Sequence, residues 1–278
     1  MSKSLSKSIH VCCYQIRNIL WNYRTFFLLL ILTVYFFLNE EGIRAFCRNL
    51  EVKASPFIFT FLSNDWICQM MLSGGFLWLI SPVASMQSDN MFLKFRSGQR
   101  AWDLGNMFAI FVSAILYVLL LWFISNIVLF PYLCFENSWG KVWKTLAFTS
   151  SASEYEVQIV MDRFIIQTYN PWKATILSFI LQVLCINWLA QIMYFVNKKI
   201  KKMLGLYIAV GFLFLDVMLS NTFLEKYYPY SPVTLAQLGN YSRDMLQYGV
   251  TIERSVIYLV AGAIIFTVLT CYMHEKRE

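Results

Sequence analysis

The sequence predicts an all-α polytopic membrane protein with six transmembrane helices and both termini on the cytoplasmic side. Three observations predict it. Of 278 residues, 58% are hydrophobic and only 14% are charged, where a soluble domain carries about a quarter charged residues. The apolar residues gather in six runs, 25–38, 66–86, 107–130, 175–196, 203–220 and 255–273, and 38 of the 39 Lys, Arg, Asp and Glu residues lie outside them. The cations between the runs are unevenly distributed. Charge-free apolar runs of roughly 18 or more residues read as membrane-crossing helices. The pattern excludes a soluble enzyme, a nucleic-acid-binding domain and a disordered chain.

The lead, 1–24, predicts an amphipathic interfacial helix. From Ser8 to Arg24, Ile9, Cys12, Cys13, Ile16, Ile19 and Leu20 recur at three-to-four spacing, with Gln15, Arg17, Asn18 and Asn22 filling much of the other side. The alternative is a plain extension of the first span. That span has 14 residues and rises about 21 Å, short of a roughly 30 Å hydrocarbon core. It must borrow from about Trp21, with Arg24 snorkelling to the headgroups. Asn39-Glu40-Glu41 follows it rather than a small-residue cleavage site, so it reads as a retained span. Glu40 to Arg44 reads as a solvated outer charge cluster.

In the second run, Ser73, Gly74, Gly75 and Ser81 permit close helix approach. Pro82 removes a backbone donor and predicts a kink. Gly74, Gly75 and Pro82 are therefore candidates for a moving or pathway-lining wall, ordinary packing being the alternative. Asp216, in the fifth run, is the one charge inside any run. It lies roughly 6 Å below the outer helix end, as a pathway or gating group or a hydrogen-bonded structural residue.

The outer segment 131–174, with Trp139, Trp143 and the polar run Thr149 to Glu156, predicts short helices on the outer face. The segment 221–254 carries Tyr228, Pro229, Tyr230 and Pro232 and reads as a re-entrant or interface-lying element before the last span. Its tyrosines, like the tryptophans, also suit interface anchors.

With both termini inside, the 55 inner residues hold 13 Lys/Arg and 4 acids, and the 105 outer residues hold 10 Lys/Arg and 11 acids. Lys198, Lys199, Lys201 and Lys202 crowd one short inner loop. Cations retained at the cytoplasmic face set topology. The net charge of +7 thus reports orientation and contact with anionic lipid, not nucleic acid. The seven cysteines show no CxxC spacing. Cys47 and Cys134, in different outer segments, are the pair an oxidising compartment would join, with free thiols the default.

There is no GxxxxGK[ST] phosphate loop, no GxSxG motif, and only two histidines, His10 and His274, one near each end. The chain is therefore expected to be no enzyme and to bind no cofactor itself.

The inner loop 87–106 is the most informative stretch. Asp89 leads a short apolar piece, Met91, Phe92, Leu93 and Phe95, followed by Arg96-Ser97-Gly98, Arg100 and Trp102-Asp103-Leu104-Gly105-Asn106. A short helix of this kind docks apolar side chains into a groove on a soluble partner while its cations hold acids or phosphates; the alternative is a plain basic loop. Six spans, an amphipathic lead and this loop resemble the type 2 permease family of ATP-binding-cassette (ABC) transporters. The match includes its R-x-G-like step and its W-x-x-G-K-like approach to the third span, with Asn106 in place of Lys.

The resemblance implies a permease subunit, paired with a second copy in a homodimer. Two copies of a separate ATP-binding subunit, which hold ATP and Mg, dock on Asp89, Met91, Phe92, Phe95, Arg96 and Arg100. Spans 1, 2 and 5 line or gate the route. The cargo, an amphipathic or hydrophobic substrate such as a peptide or drug, moves outward across a bacterial plasma membrane. A lipid-linked polysaccharide exporter permease, a secondary carrier and an immunity membrane protein are the alternatives.

Overall fold

The computed structural model describes residues 2–84, 91–200, 203–222, 225–242, 248–249 and 251–272. In chain order the helices are α1 (Ser2–Leu20), α2 (Tyr23–Asn39), α3 (Glu41–Asn49), α4 (Ile58–Leu62), α5 (Trp66–Ala84), α6 (Met91–Ser97), α7 (Gln99–Val128), α8 (Gly140–Phe148), α9 (Ser151–Glu154), α10 (Arg163–Thr168), α11 (Pro171–Lys199) and α12 (Leu204–Ser220). Three 3₁₀ turns, Glu225–Tyr230, Thr234–Ala236 and Leu238–Tyr241, precede α13 (Ile252–Tyr272). Among the described residues there is no β-strand, only an isolated bridge between Ala54 and Leu133.

Among the described residues four helices, α5, α7, α11 and α13, are long and apolar enough to cross a membrane. The pair α1–α2 qualifies when taken together but is bent by 56°. The remaining apolar helix, α12, has 17 residues. The chain is an all-α, membrane-embedded protein.

The bend between α1 and α2 has a local cause. Asn22 takes an extended conformation and caps α2, its side chain accepting from the Arg24 amide at 3.0 Å. A new helix starts there instead of continuing the old one. Arg24, expected to reach the headgroups, donates to Ser81 Oγ at 3.2 Å and ties the start of α2 to the end of α5. The third apolar helix begins at Gln99, eight residues before the apolar run, because Asp103 and Asn106 find buried partners.

The apolar face of the lead is divided between the protein and the surface. Ser8, Val11, Cys12, Gln15 and Ile19 are buried against the protein, chiefly α7. Leu5, Ile9, Cys13 and Leu20 form a separate exposed stripe, while Lys7, His10 and Arg17 occupy a third, polar side. Three faces suit a helix touching protein, lipid and water at once. Its approach to α7 depends on Gly105, where a Cβ would lie 2.6 Å from Val11 Cβ and 2.8 Å from Ser8 O.

Of the glycine pair of α5, Gly75 is the closely packed one. A Cβ on Gly75 would lie 2.9 Å from Leu28 Cδ1 of α2 and from the Tyr117 hydroxyl of α7, and one on Gly74 would touch Leu213 of α12 at 3.6 Å. Pro82 lies inside α5, two residues before its end.

At the other end, α3, α4 and α8–α10 build a packed cap. Trp143 is fully buried and donates to Ser55 O at 3.0 Å and Ser55 Oγ at 2.9 Å. Trp139 donates to Tyr169 O at 2.8 Å, and Phe61 packs between both tryptophans at 5.4 and 5.5 Å. These tryptophans are cap core, not interface anchors. Cys47 and Cys134 are free.

Glu40 departs from the solvated cluster expected of it. It is fully buried, and neither carboxylate oxygen has a hydrogen-bond partner among the described residues. The Arg44 guanidinium instead meets Glu41, Phe37 O at 2.7 Å and the Phe37 ring. Burial pushes the Glu40 carboxyl well above its ordinary 4.5, only partly opposed by Arg44.

A raised folded-state pKa means the fold holds this proton more tightly than the unfolded chain, so stability falls as pH rises from the ordinary carboxylate pKa through the raised one. Glu40→Gln is expected to flatten that dependence and to raise Tm at pH 8 but not at pH 4, in thermal unfolding of the detergent-solubilised protein. Gly105→Leu is expected to destabilise by about 1–3 kcal/mol through overpacking, seen as a lowered Tm in the same assay.

Candidate partner-docking surface and the polar ties behind it

The helix α6 is one short apolar-basic segment, MFLKFRS, stopped by Gly98 at a φ of 86°. That left-handed region favours glycine, so the chain can turn sharply from α6 into α7. Ser97 Oγ closes the last turn on Leu93 O at 2.7 Å. Phe92 is 88% exposed and Phe95 is 80% exposed. Three residues apart, they stand on one side of the helix. Burying a Phe side chain is worth about 1.5–3 kcal/mol, so the two neighbouring exposed rings make α6 a candidate interaction surface.

Of the residues expected to act together here, Phe92, Phe95 and Arg96 are exposed on α6. Arg100, the second residue of α7, lies over the Tyr272 ring of α13, 5.9 Å from its centroid. Asp89 and the side chain of Met91 lie outside the described residues. Between α6, α1 and the start of α7 runs a crevice of about 380 Å³, lined by Lys7, His10, Tyr14, Leu93, Arg96 and Trp102.

Behind α6, Trp102 to Asn106 form the junction of the helices. Asp103 makes an ion pair with Lys198 of α11, the side chains 1% and 0% exposed. Tyr194 Oη donates to Asp103 Oδ1 at 3.3 Å and accepts from Asn106 Nδ2 at 2.9 Å. Asn197 Oδ1 accepts from Gly205 N at 2.8 Å, which holds the start of α12 to the end of α11. In the sequence Asp103 and Lys198 figure as inner-face charges, Asp103 also within the approach to the third span, and nothing in the amino-acid order brings residue 198 to residue 103.

A second tie closes the far end of α12. Asp216 is 1% exposed and accepts from Thr234 Oγ1 at 2.6 Å and Gln237 Nε2 at 3.0 Å. Asn240 Nδ2 in turn donates to Thr234 O at 3.0 Å and Gln237 Oε1 at 2.8 Å. Asp216 is thus hydrogen-bonded and sealed from solvent.

The segment it holds is buried from Ser231 to Leu238, including Pro232. Non-helical backbone among apolar helices is tolerated when protein covers it. The tyrosine row lies just before this burial: Tyr230 is 69% exposed, and Tyr228 Oη donates to Leu219 O at 3.5 Å across the Pro229-containing turn. Gly74 lies against Leu213, one turn from Asp216, whereas Gly75 faces α2 and α7. Pro82 sits toward the end of α5 beside the Arg24–Ser81 bond.

Among the described residues, no three His, Cys, Asp or Glu side chains gather as a metal site. No family model matches the chain, and no curated protein or solved structure shows significant similarity to it.

Removing one partner of a buried ion pair leaves an uncompensated charge and costs about 3–5 kcal/mol, whereas replacing both by apolar residues is close to neutral. Lys198→Met or Asp103→Leu alone is therefore expected to destabilise by about that amount, and the double variant to recover most of it. Chemical denaturation of the four proteins of this cycle measures the coupling.

Proposed function

We propose that this chain is the permease subunit of an ATP-driven exporter of the type 2 ABC class. In this reading six spans cross the plasma membrane: the bent α1–α2 pair, α5, α7, α11, α12 and α13. Both termini, α6 and the Lys198–Lys202 loop lie on the cytoplasmic face, and the cap of short helices lies outside. Two copies form the path, and two ATP-binding subunits, which carry the ATP and Mg, engage the α6 surfaces.

The observation that carries the proposal is the pair of exposed phenylalanines on a short basic helix between two long apolar ones. Apolar anchors at helical spacing with flanking cations are what a groove on a soluble partner recognises. The support behind α6 also fits, because α7 begins one residue after it and is fastened to α1 and α11. Movement of α6 is thereby passed to the helices rather than absorbed in a loose loop. An amphipathic or hydrophobic cargo, such as a peptide or drug, suits the apolar helix faces.

One observation favours the polysaccharide-exporter reading. A cavity of about 680 Å³ at the start of α13 is lined by Tyr227, Tyr230, Tyr248 and Tyr258 together with Lys226 and Arg254. Aromatic rings beside cations suit an anionic polyhydroxyl ligand.

The test is coupling. Phe92→Asp with Phe95→Asp is expected to leave membrane insertion intact and to reduce stimulation of the co-reconstituted ATP-binding subunit at least tenfold. Unchanged stimulation contradicts the assignment of α6.

A further inference from the structure

The cavity of about 680 Å³ at the start of α13 falls within the range of small-ligand sites, about 300–1,000 Å³. Among the described residues that line it, Lys226 and Arg254 carry charge and none is acidic. Tyr227, Tyr230 and Tyr248, all exposed, line it beside the cations. Gly249 gives Arg254 its place. Its φ of 77° lies in the left-handed region, and a Cβ there would stand 2.6 Å from Arg254 Nη1. With that space free, the guanidinium crosses Gly249 and donates to its carbonyl at 3.4 Å. A guanidinium has five N–H donors in a fixed fork, and this exposed side chain holds the others toward a ligand.

The 21 residues of α13 rise about 31 Å, enough for a hydrocarbon core of roughly 30 Å. Arg254 is the third of them, so its guanidinium stands at headgroup level when α13 crosses the bilayer. Ile257, Ala261 and Ile265 follow on the side of the helix that Arg254 occupies, and all three are exposed. From Arg254 to Ile265 the helix rises about 16 Å, close to the depth of one leaflet, about 15 Å. A cationic cavity thus sits at the head of an apolar stripe as long as one acyl layer. A soluble anion uses the cavity alone, and a neutral lipid uses the stripe alone. An anionic lipid uses both.

We propose that this cavity seats the headgroup of an anionic glycerophospholipid, with its phosphate on Arg254 and Lys226 and an acyl chain along Ile257, Ala261 and Ile265. Such a headgroup has the anionic polyhydroxyl chemistry that suits the cavity, and the stripe assigns that chemistry to a molecule anchored in the bilayer. The site requires α13 to cross the membrane and does not require the exporter reading.

Photolabelling of the full chain in phosphatidylcholine vesicles tests it. The probes are phosphatidylglycerol and phosphatidylcholine carrying the same acyl-chain diazirine, each added in trace amount. One basic side chain at the membrane surface favours an anionic lipid about fivefold, so the two give the phosphatidylglycerol probe about a 5–30-fold preference, equivalent to about 1–2 kcal/mol. The label is expected on α13 between Ile257 and Ile265. Arg254→Gln with Lys226→Gln should abolish the preference while labelling by phosphatidylcholine persists. Both side chains are exposed, so the double variant disturbs no buried packing. Should it not fold, Gly249→Ala, whose added methyl displaces the Arg254 guanidinium, carries the test through a reduced preference.

Equal labelling of the wild type by the two probes overturns the proposal. So does a preference that persists in the folded double variant, or label that maps away from α13. Unlabelled phosphatidylglycerol should displace the probe, and excess soluble glycerol phosphate should not. Displacement by both assigns the cavity to a soluble anion and overturns the lipid as occupant. No ATP-binding subunit is present, so each of these results leaves the coupling test untouched.

Discussion

The buried pair between Asp103 and Lys198 is the constraint on which one whole end of the molecule depends. Two charges held away from water persist only when each answers the other and their remaining bonding capacity is met. Tyr194 supplies part of that need, and Asn106 bonds Tyr194 in turn. α7 is thereby fixed to α11 in rotation and in depth. Gly105, one turn along from Ala101 and beside this network, gives α1 its seat on α7. The position of α6 follows, because only Gly98 separates it from α7.

Asp216 plays a comparable part at the other end of the apolar bundle, by hydrogen bonds rather than an ion pair. It gathers Thr234 and Gln237 and so folds a 3₁₀ segment onto α12. Between the two ties, Gly75 of α5 leaves room for Leu28 of α2 and the Tyr117 hydroxyl of α7, and Gly74 faces α12. Apolar matter gains nothing by leaving lipid for another apolar helix, so close approach and polar ties carry much of the specificity. Glu40 is an exception, a buried acid with no hydrogen-bond partner among the described residues.

Much of this architecture was legible in the amino-acid order. Apolar runs mark the long helices because their side chains have only hydrocarbon or one another to face, whereas the break at Asn22, within a lead expected to lend residues to the first span, was not legible. The aromatic-basic character of residues 91–97 marks an exposed short helix by itself. The long-range pairings were not legible. Lys198 reads as one of four clustered lysines, and only the packing of α7 on α11 singles it out. Asn187 and Gln191 read as isolated polar residues in an apolar run until α13 brings Thr267 to them. Tryptophans 139 and 143 suit a membrane interface in composition, and become cap core because Ser55 and Tyr169 satisfy their indole N–H groups. The tyrosines 228 and 230 drew attention, yet the buried segment starts at Ser231, where Asp216 supplies the acceptor that no local pattern announces.

The account's central claim is that α6 is a docking helix for an ATP-hydrolysing partner. A photoreactive phenylalanine analogue placed at Phe95 in living cells tests it most directly, because the side chain is 80% exposed and tolerates the change. The account predicts a crosslink to a protein that carries a GxxxxGK[ST] phosphate loop, lost when Phe92 is also changed to Asp. A crosslink to lipid alone, or to a partner without such a loop, would contradict it.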